Sequence, residues 1–321
     1  MSKQASKLKI GFFVQRVASG RGFEKVVSAH VQLPLKMMEL LIERGHEVEL
    51  VTTEFGDDRA LPACLPQGII VHQVPYGSTQ GSELVMHTGP KKGIRPFELW
   101  RQIWKLRQLA KSRGFDIYHL SGGEGIAMIG GVLRLTGKRE PVVLSLNYAQ
   151  LSGRLVSMRR FLWRRIAHVL TSTRFLKDAV APAGIDCEVM PHGIVKEVPF
   201  QDKKDGSPKR RRVLFWRDPD PDNGADICVE AFGELAAKYP DFSFDFAVRP
   251  HWARVDGIEE LCAREPNANL FDFPYPDGIT IEGLIEEAVC IVLPFRHLST
   301  NPQWAIMESV LAGVPTVCLL Y

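Results

Sequence analysis

KIGFFVQ, residues Lys9 to Gln15, is an apolar run that gives way to a loop containing Gly20 and Gly22. From Phe23 to Arg44 apolar residues then recur at helical spacing, until Gly45 stops them. Strand, loop and helix in that order open a sheet whose strands are joined by helical crossovers. The pattern continues outward through the first half. EVELVTT (Glu47 to Thr53) reads as a second strand, Ile69 to Val74 as a third, DIYHL (Asp116 to Leu120) as another and PVVLSL (Pro141 to Leu146) as the next, with an apolar, helix-like stretch from Gly125 to Leu135 before the last. Arg159 to His168 reads as a basic amphipathic helix, and Val169 to Ser172 and Cys187 to Met190 as short closing strands. Strands alternating with helices imply right-handed crossovers and a parallel sheet.

Val195 to Arg212 is the densest run of polar, Gly, Pro and basic residues in the chain, and it predicts a linker over residues 196–211. The alternation then restarts. RVLFW (Arg212 to Trp216), FSFDFAV (Phe242 to Val248), Asn269 to Phe273, CIVLPF (Cys290 to Phe295) and Thr316 to Leu320 read as strands, with helices at Ala225 to Lys238, Ile281 to Ala288 and Pro302 to Ala312. The expected architecture is α/β: two Rossmann-like, doubly wound parallel-sheet domains, residues 1–195 and 212–321, facing a cleft. Ligands in such sheets gather beyond the strands' carboxyl ends.

The bulk properties fit that reading. A length of 321 residues suits about two domains of ~150 residues each. A hydrophobic fraction of 45% and a charged fraction of 24% are those of a globular protein. The net charge of +3 mixes Lys and Arg with 37 acidic residues, so a nucleic-acid partner is not expected. The six cysteines lie far apart without a CxxC pair and read as reduced residues of a cytoplasmic protein. No apolar stretch reaches the ~20 residues of a membrane helix.

Several segments, in order, resemble the retaining, nucleotide-sugar-dependent glycosyltransferases of the family-4 type, which have the GT-B fold. They are Gly22-Phe23-Glu24, Arg44-Gly45-His46-Glu47-Val48, Asp116-Ile117-Tyr118-His119, Met190-Pro191-His192-Gly193, Arg217 with Asn223-Gly224-Ala225-Asp226, and Glu308 through Val317. The resemblance covers nearly the whole chain. It implies a donor that is a nucleotide-diphosphate sugar, a glycan, lipid-linked or small-molecule acceptor, and no cofactor beyond the donor itself. Charge grows on the departing diphosphate during such a transfer, and a cation with backbone amides at a helix start stabilises it.

Arg217 is the candidate cation, although an ion-paired arginine beside Asp218, Asp220 and Asp222 would look the same in sequence. Glu308 matches the family glutamate that accepts hydrogen bonds from the ribose hydroxyls. Its partner eight residues earlier is Thr300 rather than glutamate, within Ser299-Thr300-Asn301-Pro302-Gln303-Trp304. Thr300, Asn301 and Gln303 are therefore assigned to the donor side, Pro302 suiting a first helical turn, while a plain N-cap accounts for the same residues. Asn223, beside Gly224, stands where the family has a lysine, so Arg217, Arg249 or Arg296 is expected to compensate. Asn147 stands near the place of a family histidine. It cannot act as a base, but the leaving phosphate can take the acceptor proton.

Asn147, His119 and Arg217 are the catalytic candidates, and Gly20-Arg21-Gly22 the acceptor-side loop. His119, His192 and His297 form no metal-binding spacing and no Asp-x-Asp occurs, so no metal is expected. Two basic amphipathic stretches, Leu99 to Arg113 and Met158 to Arg165, suit peripheral contact with an anionic inner membrane face, or simply a solvated face. Family chains continue past the Val314 to Leu320 strand, so the second domain is expected to be incomplete. The alternative to an active transferase is a weak or inactive relative that binds a nucleotide-sugar or a protein partner, suggested by Asn147, Asn223 and Thr300. An epimerase or phosphorylase needs a converging set of carboxylates and histidines that the sequence does not offer.

Overall fold

Phe12 and Phe13 sit side by side on one strand, both wholly buried, because consecutive strand residues point to opposite faces and this strand is covered on both. Phe12 packs with Ile10, Val14, Leu35, Met38 and Leu50 on one side. Phe13 packs with Val51, Ile103, Leu106, Leu120 and Leu144 on the other. The computed structural model describes residues 6–21, 24, 29–55, 57, 59–74, 96–136, 141–147, 156–191, 211–249, 253–296 and 303–319.

Among them the first unit, up to Pro191, carries β1 (Lys9–Val14), β3 (Glu47–Thr53), β5 (Ile70–Val74), β6 (Ile117–Gly122), β7 (Val142–Leu146), β8 (His168–Thr171) and β9 (Glu188–Val189). They form one sheet in the order β5-β3-β1-β6-β7-β8-β9, every pair parallel. A short antiparallel pair, β2 (Ser19–Gly20) with β4 (Arg59–Ala60), stands apart from it. The connecting helices are α1 (Ala29–Glu43), α2 (Pro96–Arg113), α3 (Glu124–Thr136), α4 (Val156–Trp163) and α5 (Arg174–Val180).

The second unit, from Arg211, repeats the plan with β10 (Arg212–Phe215), β11 (Ser243–Val248), β12 (Ala268–Asp272), β13 (Ala288–Leu293) and β14 (Thr316–Cys318) in the order β12-β11-β10-β13-β14, again all parallel. Its helices are α6 (Ala225–Lys238), α7 (Ile258–Arg264), α8 (Ile281–Glu287) and α9 (Trp304–Leu311). Leu214 faces α8 and α9 through Leu284, Ile285 and Ala305, and Phe215 faces α6 and α7 through Phe232 and Leu261. Both sheets are thus doubly wound.

Each sheet is pinned by one buried ion cluster. Glu49 in β3 accepts from Lys9 at 3.0 Å, from His72 at 2.6 Å and from Arg113 Nε at 2.9 Å. Arg212 opens β10 between buried Asp245 of β11 and Glu287, the latter at 2.8 Å.

The strands start within two residues of the expectations, while the basic helix expected over Arg159 to His168 spans Val156–Trp163 and His168 opens β8. α5 and α7 were not anticipated. Each has only seven residues, as does the anticipated α8, and α5 is marked by Thr173, whose hydroxyl accepts from Leu176 N. The expected linker, apart from Arg211, lies outside the described residues.

Candidate functional site

Arg217 follows β10, Arg249 follows β11 and Arg296 follows β13, so three guanidinium groups are carried at one end of three neighbouring strands. This is the carboxyl end, on either side of the point where the strand order reverses. The loop after β10 turns back through a 3-10 turn at Pro221–Asn223 into α6. Gly224 joins the two with φ +76°. A Cβ there would lie 2.1 Å from the Pro294 carbonyl oxygen, so only glycine lets this loop pack against the end of β13.

The polar groups of that loop are largely turned inward. Asp220 Oδ1 accepts from both Asn223 N and Asn223 Nδ2, each at 2.8 Å. Gly224 N donates to Pro221 O and Ala225 N to Asp220 O. Asp226 takes an ion pair from Arg296 at 2.6 Å, and Arg296 also donates to Pro221 O at 3.0 Å. Asn223 and Gly224, assigned to the donor side by the resemblance, both lie in this loop, where Asn223's backbone N–H and Nδ2 hold the loop's own shape.

Arg217 differs. Its Nε is buried with no hydrogen-bond partner among the described residues. Burial pulls the guanidinium pKa down, and while Asp218, Asp220 and Glu308 oppose that, Arg249 adds to it. Glu308 reaches this group from α9, a helix held to β10 by a polar contact. Trp216 Nε1 donates to Ser309 Oγ at 3.3 Å, and the Ser309 hydroxyl donates to Ala305 O at 2.7 Å. Gln303, almost fully buried, occupies the N-cap of α9 without a side-chain cap bond. The second unit therefore gathers Arg217, Arg249 and Glu308 at one strand edge. The Trp216–Ser309 brace and Tyr275 escaped the sequence reading. Tyr275 is a half-buried phenol that desolvation raises to about 12 and that lies within the field of Arg249. Trp216 closes the apolar run RVLFW immediately before Arg217, a usable signal for the brace, whereas nothing local marks Tyr275.

In the first unit, His119 of β6 and Asn147 after β7 lie on adjacent strands. His119 is buried, stacks on Phe12 with ring centres 4.1 Å apart, and shares a 2.8 Å hydrogen bond between Nε2 and Ser145 Oγ. Burial depresses its pKa to about 4. The ring, expected from the sequence to be catalytic, is thus enclosed in the packing of β1, β6 and β7. Asn147 N donates to Gly122 O, and its half-buried side chain lies 3.5 Å from Ser121 Oγ, at the carboxyl end of the strands. Gly20 pairs in β2 with Arg59, and Arg21 is exposed. Gly22, His192, His297, Thr300 and Asn301 lie outside the described residues. Among the described residues, no group of three or more His, Cys, Asp and Glu is arranged to hold a metal ion.

The glycosyl transferase 4-like domain model matches residues 33–193. The chain belongs to this glycosyl transferase 4-like family. The solved structures that resemble it are themselves two-domain GT-B proteins, and the two parallel sheets of this family member have that fold. HepE from Anabaena, determined with UDP and glucose and also with UDP-glucose, is 16% identical with a TM-score of 0.62, over 97% of this chain and 80% of its own. A glycosyltransferase from Rickettsia africae is 13% identical with a TM-score of 0.65, over 98% and 79%. A UDP-forming α,α-trehalose-phosphate synthase from Burkholderia xenovorans is 13% identical with a TM-score of 0.64, over 98% and 84%. No curated protein matches the chain significantly by sequence.

Proposed function

We propose that this glycosyl transferase 4-like protein moves a sugar, with retention of configuration, from a nucleotide-diphosphate sugar to a glycan, lipid-linked or small-molecule acceptor. One observation carries the reading: Arg217, half-buried with its Nε enclosed and unpartnered, stands at the carboxyl end of β10 with the Glu308 carboxylate in its field. A half-buried cation with an unmet donor suits a phosphate oxygen, and a carboxylate on α9 suits the two hydroxyls of a ribose. The UDP and UDP-glucose bound to HepE support a donor of that class.

Arg217 would neutralise charge developing on the leaving diphosphate, and Glu308 would hold the nucleoside. Asn147 would hydrogen-bond a sugar hydroxyl, with the departing phosphate accepting the acceptor's proton. Thr300, Asn301, Gln303 and Gly224 belong to the donor side in this reading, Gly20-Arg21-Gly22 to the acceptor side, and no cofactor or metal is required. A panel of nucleotide-sugars supplies the test. Release of nucleoside diphosphate from one donor, with the product's anomeric configuration matching that donor's, is the expected result. Stabilisation by a nucleoside diphosphate without turnover of any donor would favour the alternative of a binding protein that has lost catalysis.

The acceptor side of the proposal includes peripheral contact with an anionic membrane. α4 exposes Met158 and Phe161, and a cavity of about 470 Å³ beside it is lined by Ser157, Arg160, Phe161, Arg164 and Arg165. Basic groups interleaved with exposed apolar ones suit a surface of acidic headgroups. No described helix is long and apolar enough to cross a membrane. Co-sedimentation with vesicles containing phosphatidylglycerol, reduced by Arg160→Gln with Arg164→Gln and absent with phosphatidylcholine alone, is the expected behaviour.

A further inference from the structure

We propose that Arg249 carries the second positive charge that grips the donor diphosphate. The inference rests on the nucleotide-sugar reading of the site and specifies which residues of this chain execute it. A pyrophosphate bears its charge on two phosphoryl groups, and one guanidinium matches only one of them well.

Three other candidates for the second donor lie in the loops that follow β10, β11 and β13, and their contacts eliminate two. Asn223 is uncharged, and both its backbone N–H and its Nδ2 are directed to Asp220 Oδ1 at 2.8 Å. Arg296 is directed to Asp226 at 2.6 Å and to Pro221 O at 3.0 Å, so it closes the turn into α6. Arg249 remains. It extends directly from the end of β11, which pairs with β10 so that Phe246 lies beside Phe215, and this brings it next to Arg217. It makes no hydrogen bond or ion pair among the described residues. Two arginines on adjacent strand ends repel unless an anion lies between them, and that repulsion is felt at Arg217. A pair so placed, one Nε buried and unmet, is arranged for a ligand of two negative charges rather than for stability.

The test uses the full chain with UDP, ADP and GDP, each alongside its uncharged nucleoside, followed by calorimetric titration and thermal shift. For the nucleotide that binds, Arg249→Gln should weaken the diphosphate about tenfold or more and leave the nucleoside's affinity nearly unchanged. Adding Asn223→Lys to that variant should recover part of the loss by supplying a cation from the neighbouring loop. The unliganded melting temperature of each variant separates loss of binding from loss of folding. Unchanged diphosphate affinity in a folded Arg249→Gln variant, or an equal loss for diphosphate and nucleoside, would overturn the inference while the donor reading stood. A wild-type chain that binds no nucleoside diphosphate would overturn the donor reading itself.

Discussion

Glu49 and His119 are buried in the same sheet, one charged and one neutral, and the difference follows from their neighbours. Lys9, His72 and Arg113 surround the Glu49 carboxylate and outweigh its desolvation, holding its pKa at about 2. His119 faces an aromatic ring and a hydroxyl, and desolvation alone takes it to about 4. Both values lie below those of the unfolded chain, so the fold is more stable above each group's ordinary pKa and loses stability as the pH falls. For His119 the window runs from about 6.5 down to about 4, and for Glu49 from about 4.5 down to about 2. Each accounts for a difference of up to about 3 kcal/mol across its window by the linkage relation: for Glu49 an ion cluster that stabilises at neutral pH and is lost in acid, for His119 a cost that arises only as acid protonates the buried ring. Urea unfolding along a pH series should therefore show two losses. His119→Phe should flatten the upper one and Glu49→Gln the lower, and profiles that stay parallel to wild type would contradict these assignments. At Arg217 the expectation concerns function: Arg217→Ala should reduce donor turnover by about a hundredfold or more in a protein that still folds, checked by steady-state rates.

At the scale of elements, close approach explains where glycine is needed. A Cβ on Gly131 of α3 would lie 2.5 Å from the Leu162 carbonyl oxygen of α4, and backbone cannot give way cheaply. On Gly125 of the same helix a Cβ would meet nothing within 4 Å. Gly131→Ala should cost about 1–3 kcal/mol, while Gly125→Ala should be neutral or stabilising by up to about 1 kcal/mol, both read from denaturant midpoints. The brace between β10 and α9 is a polar case. Ser309→Ala leaves the buried Trp216 N–H without its acceptor, costs about 1–3 kcal/mol, and should also weaken nucleotide binding, because Glu308 is the adjacent residue on that helix.

Elements of this kind were legible to different degrees. α6 runs over the expected residues because Gly224 starts it and its apolar positions keep a clear period. β1 declared itself as a continuous apolar run, which a strand covered on both faces produces, whereas β3 and β11 were read from β-branched and aromatic residues interrupted by the buried charges Glu49 and Asp245. α5 and α7 stayed hidden, whereas α8, equally short, was legible over Ile281 to Ala288.

For the whole molecule, the parallel order of both sheets was readable from the alternation of strands and helices, and the family from a handful of short motifs. The site was readable only in part. Sequence placed Arg217 and Glu308 in register with the family pattern, but it could not say that Asn223 folds back onto Asp220, that Arg296 is engaged by Asp226, or that His119 is sealed against Phe12. Those outcomes depend on which partner a side chain meets across a loop or a sheet, and spacing along the chain carries no record of that.

The central claim is that the edge formed by Arg217 and Glu308 holds a nucleoside diphosphate. Calorimetric titration of UDP, ADP and GDP into the wild-type chain and into Glu308→Ala tests it most directly. One of the three should bind wild type, and Glu308→Ala should bind it about tenfold or more weakly through loss of the ribose contact. Equal affinity of the two proteins for that nucleotide would contradict the claim.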